Sequence, residues 1–434
     1  MIQSVPVREQ IAGGVWFTSI TDPKFKHNRI SVNLALPLSS QTAAEYAIVP
    51  YLLRKGCQAY PNISSLNSRL AELYGAYLDG ELRKSGANQI LNLSVQGLDS
   101  RFALEKEDMI TECVRLLCQV LFAPKLTQGP DGEMFFPEDM KVERQYLIDT
   151  IDSIINDKRS YAVDHCVKAM CAGERAAVSR YGERAEVQAL TEYDAAKAYR
   201  RALETAHIEI LFAGCGDPRV AMEAFREAFG KIERHPIPLE RMQPKLKAQQ
   251  VTEITEQMDV VQGKLVLGFR VGDVTERRRY NALRMMLAIY GGTAFSRLFL
   301  YVREKLSLCY YCASRYDKAT GIMLVDSGVE FDKRQAAQEE ILRQLEVMRN
   351  GEFTDEEFTA ARLSLIGALE TAGDSLGGLE GYYFTQIFTG SNRTPAQEIR
   401  EIEEVTRQDV MEAAKQITLD TVYFLEGEVP SDEQ

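Results

Sequence analysis

Histidine is scarce in this 434-residue chain, with four residues: His27, His165, His207 and His235. They are widely separated, and no two share the helical spacing that would put a pair of metal ligands on one face. Each reads as a surface or capping imidazole. Asp164-His165-Cys166 is no catalytic pair either, because adjacent residues on a helix point apart. A surplus of positive charge is also missing. Lys and Arg number 51 against 63 Asp and Glu, for a net charge of -12. That balance excludes a general nucleic-acid binder, since nothing is left over to neutralise phosphates. No apolar run approaches the roughly 20 residues of a membrane helix. The opening MIQSVPVREQIAGGVWFTSI has no basic stretch before an apolar core, so no signal peptide is expected and the expected location is the cytoplasm. There is no G-x-S-x-G elbow and no G-x-x-x-x-G-K-[ST] phosphate loop. The eight cysteines are scattered and read as reduced, buried thiols. Cys309-Tyr-Tyr-Cys312 is the sole C-x-x-C, and two thiols cannot complete a tetrahedral zinc site. On a regular strand they would also face opposite ways.

What is present is the composition of a globular protein, 45% hydrophobic and 26% charged, long enough for two or three domains. The chain reads as a duplication. A strand-like run, ISVNLALPL, precedes a helix, AAEYAIVPYLLRKG, that is expected to end at Gly56. In the second half KLVLGFRVG precedes RRYNALRMMLAIYGG. NQILNLSVQGL answers to GIMLVDSGVEF, and each is followed by a helix. A long helix opened by Phe136-Pro-Glu-Asp answers to one opened by Phe353-Thr-Asp-Glu-Glu, with Thr354 and Asp355 as N-cap candidates. Gly377, Gly378 and Gly381 are expected to mark a break after that second long helix. Pro236, Pro238 and Pro244 favour an extended linker between the halves. The expected domains are residues 1–231 and 251–434, joined by a linker at 232–250. Strands and helices that do not alternate strictly favour an α+β class. Each half is then a mainly antiparallel sheet with helices on one face, and the whole is clamshell-like.

The stretch from Gly291 to Tyr316, GGTAFSRLFLYVREKLSLCYYCASRY, carries a resemblance. It is similar to the carboxy-terminal signature of the insulinase/pitrilysin-type metallopeptidases. SRYGERAEVQALTEYDAAKAYRRALETAHIEILFAGCGD also looks like the family. The resemblance spans roughly residues 25 to 425 and is nearest to the short, processing-peptidase-like branch. Within it, the chain looks most like bacterial homologues encoded as pairs, one with and one without the zinc motif. In the family an arginine and a tyrosine seven positions later help hold the peptide. The matching residues here are Arg303 and Tyr310. Taken alone, Arg303 pairs with Glu304 or another acid on a solvated face, and Tyr310 is a strand aromatic.

The family's zinc motif is H-x-x-E-H on the first helix, with a distal glutamate on a later one. It occurs nowhere in this chain. Its matching positions hold Ala47, Ile48, Val49, Pro50 and Tyr51. The distal position falls on Thr150, or on Asp149 if shifted by one. The resemblance therefore implies no metal, no cofactor and no catalysis by this chain alone. It implies a partner, either a zinc-bearing homologue in a heterodimer or a second copy in a homodimer, with a peptide as substrate. Two other readings stand beside it. One is a peptide-binding or scaffolding protein without proteolysis. The other is an active hydrolase with an unrecognised site.

Overall fold

The computed structural model describes residues 5–427. Three strands open the chain: β1 (Val7–Ala12), β2 (Val15–Thr21) and β3 (His27–Pro37). Helices α1 (Ala43–Ala47), α2 (Val49–Leu53) and α3 (Ile63–Glu72) lead to the hairpin β4 (Tyr77–Ser85) and β5 (Asn88–Leu98). Helix α4 (Met109–Phe122) and the ribbon β6 (Leu126–Gly129) and β7 (Gly132–Phe135) come next. Helices α5 (Pro137–Ser153), α6 (Lys158–Met170), α7 (Arg184–Ala189) and α8 (Glu192–Thr205) follow, and β8 (His207–Gly214) and α9 (Pro218–Gly230) close the first half. No helix or strand forms between 231 and 251.

The second half runs β9 (Thr252–Met258), β10 (Gly263–Arg270), α10 (Arg277–Tyr290), β11 (Cys309–Asp317) and β12 (Ile322–Val329). Helices α11 (Arg334–Asn350), α12 (Asp355–Thr371), α13 (Leu376–Thr389), α14 (Pro395–Glu403) and α15 (Arg407–Lys415) precede β13 (Thr418–Gly427). Thr354 caps α12: its hydroxyl accepts from the Glu357 amide, and the Glu357 carboxylate accepts from the Thr354 amide.

The fold is α+β, and the duplication shows in the strand order. One sheet runs β1-β2-β8-β3-β5-β4 and the other β11-β12-β10-β13-β9. Reading β9, β10, β11, β12 and β13 as the counterparts of β2, β3, β4, β5 and β8, the order is the same. The pairing sense matches too. Only β2–β8 and β9–β13 are parallel within these sheets, and the other pairs are antiparallel.

Alternation along the strands sends one set of side chains to a core and the other to the opposite face. In the first sheet Val32, Leu34, Leu91, Leu93, Ile210 and Phe212 join Val114, Leu117, Tyr199 and Phe225 from α4, α8 and α9. The opposite face is covered by one helix, α13. Leu376, Leu379 and Tyr383 meet Ile20 and Ala213, while Phe384 and Phe388 meet Ala35, Ile90 and Leu211. In the second sheet α6 lies the same way, with Ala162, Cys166 and Met170 against Val266, Ile322, Leu324 and Tyr423. Gly268 makes this approach possible, since a Cβ there would stand 2.1 Å from the Met170 sulfur.

Compact units are thus not contiguous in sequence. The first takes the chain up to Asp152, Val178–Arg241 and Ala372–Asn392; the second takes Ser153–Ala177, Met242–Thr371 and the chain from Arg393 on. The spans 1–231 and 251–434 differ from these units by two segments, one around α6 and one around α13. The cause is burial, since each helix covers the sheet built by the other half. Each also carries a charge that its sheet answers. The Arg29 Nε donates to Glu380 of α13 at 2.5 Å, and Arg159 of α6 is ion-paired with the buried Asp326 on β12. The break expected at Gly377, Gly378 and Gly381 lies just before them. Ser375 caps α13 by accepting from the Gly378 amide at 3.0 Å, and the three glycines are helical.

Candidate functional site

The metal-binding motif would lie on the helical segment that follows β3. Pro50 has no amide hydrogen, so the bond back to the Tyr46 carbonyl cannot form. The single helix expected from Ala43 to Gly56 therefore divides at Ile48 into α1 and α2. Helical bonding resumes with the Leu52 amide on the Ile48 carbonyl at 3.1 Å. Ala47, Pro50 and Tyr51 are all buried. The Pro50 carbonyl presses against β4: a Cβ at Gly80 would stand 2.4 Å from its oxygen.

Helix α5 brings the distal position to the same neighbourhood. The Tyr146 ring meets the Tyr51 ring edge-on, with centroids 5.3 Å apart. One turn further on, the Thr150 hydroxyl donates to the Tyr146 carbonyl at 2.8 Å, and Asp149 accepts from Gln145 at 2.7 Å. Arg54, the C-cap of α2, places its guanidinium 5.0 Å from the Tyr51 centroid and 5.8 Å from that of Tyr146. Glu143 on α5 is buried and ion-paired with Lys55. Burial pushes the Tyr51 phenol up to about 12, with Tyr181 and Tyr146 adding to the rise and Arg54 and Arg180 opposing it. The phenol therefore stays un-ionised near neutral pH.

These residues do not fit a zinc ion. Zinc takes deprotonated sulfur, imidazole or carboxylate donors. The positions offer a methyl group, a proline ring, a neutral phenol and either a hydroxyl that donates to its own helix or, one residue earlier, the lone carboxylate of Asp149. The guanidinium of Arg54 beside them would repel a dication. Among the described residues, no group of three or more His, Cys, Asp or Glu could hold a metal ion.

The second site is the Gly291–Tyr316 stretch. Arg297 is buried and fixes its start, donating to Gln344 at 2.8 Å and to Glu357 at 2.7 and 2.9 Å. Residues Leu298–Lys305 then form a π-helix, a rare wide turn that buries Leu298 and Val302. Ser307 follows at φ 49°, a left-handed turn into β11. Arg303 lies on the exposed side of the π-helix. Its guanidinium stands 4.7 Å over the Phe299 ring and 3.4 Å from Glu304, with 42% of the side chain exposed. Tyr310 is 64% exposed and sits in a bulge between Cys309 and Tyr311 on the edge strand β11. Neither residue is used in a core.

The bulge overturns the expectation for the cysteine pair. Cys309 stands opposite Val329 and Cys312 opposite Ser327, two apart on β12, so both thiols share a face and both are buried. A hydrogen bond from Cys312 holds the Cys309 thiol below its usual range, aided by Ser327 and the charge of Arg303. Burial pushes Cys312 well up. His207 also departs from a surface or capping role, since its Nε2 lies 2.6 Å from the fully buried Glu209. Arg54, Tyr146 and Glu143 carry no signature in the sequence that marks them as neighbours. Arg54 stands in a Leu-Arg-Lys-Gly helix end that reads as ordinary, and its ring partner Tyr146 lies far along the chain.

Residues 189–365 match the family model described as the peptidase M16 inactive domain. A protein of Bacillus subtilis (strain 168), described as a probable inactive metalloprotease YmfF, is 27% identical over 422 residues, 96% of each chain. A conserved protein from Enterococcus faecalis V583 superposes with a TM-score of 0.89 at 26% identity, covering 99% of this chain and 100% of that one. The peptidase M16 inactive domain from Pseudomonas fluorescens superposes with a TM-score of 0.78 at 17% identity, covering 99% and 100%, a likeness of fold alone. The chain is a homologue of the M16, or insulinase/pitrilysin-type, peptidases that lacks their zinc motif.

Proposed function

We propose that this chain is the non-catalytic partner of a zinc-bearing homologue, and that it handles peptide while the partner cuts. One contrast carries the reading. The zinc-motif positions are filled by packed, uncharged groups, while Arg303 and Tyr310 are presented to solvent by a π-helix and a bulge. Such irregular backbone is over-represented at functional sites. In this role Arg303 holds a backbone carbonyl of the peptide through its planar fork, and Tyr310 donates to the same substrate. The test is co-expression with the zinc-bearing homologue and substitution Arg303→Ala. Peptidase kcat/KM of the complex should fall by on the order of a hundredfold, the scale for one positioned donor. Unchanged activity would remove the shared-site role.

A second reading, peptide binding without proteolysis, draws on the sheet edges. Strands β4 and β11 are edge strands, and each presents an exposed tyrosine, Tyr77 and Tyr310. An extended peptide adds to such an edge through main-chain bonds. Size-exclusion chromatography with and without the zinc-bearing homologue separates the cases, since a stable mixed dimer favours the first reading. A homodimer that binds peptide alone favours the second.

A further inference from the structure

Arg54 has the makings of an anion-binding residue. Its guanidinium lies against two phenol rings, 5.0 Å from the Tyr51 centroid and 5.8 Å from that of Tyr146. A guanidinium attracted to ring faces in this way keeps N–H groups that can still donate to an anion. The nearest carboxylate oxygens stand at 3.7 Å on Asp79 and 3.9 Å on Glu143, beyond hydrogen-bond reach. Both acids pair with Arg54 only at this longer range, Glu143 through an oxygen that accepts no hydrogen bond, and each has a closer partner. Glu143 is ion-paired with Lys55, and the Asp79 oxygen accepts from the Gly80 amide at 2.8 Å. A third of the Arg54 side chain is open to solvent. A second arginine lies in the same neighbourhood. Arg180 stacks on Tyr181 at 4.8 Å and donates to its hydroxyl at 3.0 Å, and both residues act on the Tyr51 phenol.

We infer that Arg54, walled by Tyr51 and Tyr146, binds a carboxylate of a peptide. Beside the motif positions stands a monocation whose planar fork matches a carboxylate. The ligand class rests on the peptide-handling reading above, while the site itself needs no partner chain. The carboxylate is either the peptide C-terminus or an Asp or Glu side chain.

The test uses fluorescence anisotropy with labelled, randomised decapeptide pools and the full chain. One pool has a free C-terminus, one is amidated, and one is amidated with a fixed central Glu. The free-carboxylate pool should bind wild type about tenfold or more tighter than the amidated pool, the scale of a charged hydrogen bond. Arg54→Gln should erase the difference, and Arg54→Glu should reverse it. Arg219→Gln, an exposed arginine outside the cluster, should leave it in place. Binding restored by the central Glu assigns the site to side-chain carboxylates; failure to restore assigns it to the terminus. Equal binding of all pools by wild type and Arg54→Gln would overturn the carboxylate site and leave peptide handling standing. No binding of any pool to wild type would overturn the carboxylate site and the reading of peptide binding by this chain alone, and would leave the shared-site role to the co-expression test. A melting curve for each variant confirms that it folds.

Discussion

Glu380 offers the sharpest test of how α13 is held. It is buried on the helix face toward the first sheet, and one oxygen takes the Arg29 Nε at 2.5 Å. Its other oxygen has no hydrogen-bond partner and stands 4.0 Å from Arg83. Arg29 is itself largely buried, with 13% of its side chain exposed. Glu380→Gln keeps the shape and an acceptor but removes the charge, so Arg29 is left as a buried, uncompensated cation. Breaking one side of such a pair costs about 3–5 kcal/mol. The retained acceptor places Glu380→Gln near the lower end, a fall in melting temperature of roughly 6–12 °C for a unit of this size. Replacing both partners, Arg29→Met with Glu380→Leu, removes the stranded charge and should recover most of the loss. Thermal unfolding by circular dichroism reads all three proteins, and amide hydrogen exchange across α13 shows whether the helix opens first. A melting temperature for Glu380→Gln within about 1 °C of wild type would refute the claim that this pair secures the helix.

Other expectations are simpler to check. Gly80→Ala would drive a Cβ into the Pro50 carbonyl, so it should destabilise by about 1–3 kcal/mol in a denaturant melt. Asp99 is buried, which alone would raise its pKa, but hydrogen bonds from Asn28 and Arg101 outweigh burial and hold it below the usual range. Its folded pKa is depressed, so its contribution is fully present above the unfolded value near about 4 and is lost as pH falls through the folded value. Asp99→Asn should flatten the loss of melting temperature on the acid side of pH 4. Metal analysis of the purified chain should find far less than one zinc per molecule, and a stoichiometric ion would overturn the account of α2.

Much of this architecture is legible in the sequence because it is local. β5 coincides with NQILNLSVQGL, and α5 and α12 begin at the proline and acidic residues that mark helix starts. The match between halves follows from the same patterns. What escapes is decided between distant segments. The i, i+4, i+8 row Ala162, Cys166, Met170 announces an apolar face, but nothing in it says which sheet that face will cover. The bulge at Tyr310 is likewise invisible, because the extra residue is fixed by pairing with β12. Pro50 was visible, and its consequence for α1 and α2 follows from the missing amide. The loss of the zinc motif is a matter of identity and could be read directly. The cluster of Arg54, Tyr51 and Tyr146 beside those positions depends on α2 meeting α5, and that contact has no signature in the sequence.

The crossing of α6 and α13 bears on how the chain is made. When the first half has left the ribosome, its sheet has one bare face, because α13 is not yet synthesised. Its own α6 has no second-half sheet to cover. The first half must therefore wait, with Ile20, Ala35, Ile90 and Leu211 uncovered, until Leu376–Thr389 arrives. Charge discourages a premature substitute: α6 would bring Arg159 toward a sheet that carries Arg29 and Arg83, where Glu380 belongs. Once complete, the molecule should survive cleavage in the segment 231–251, because each unit already holds a piece of both fragments. Separately expressed halves should be poorly soluble alone and recover when mixed.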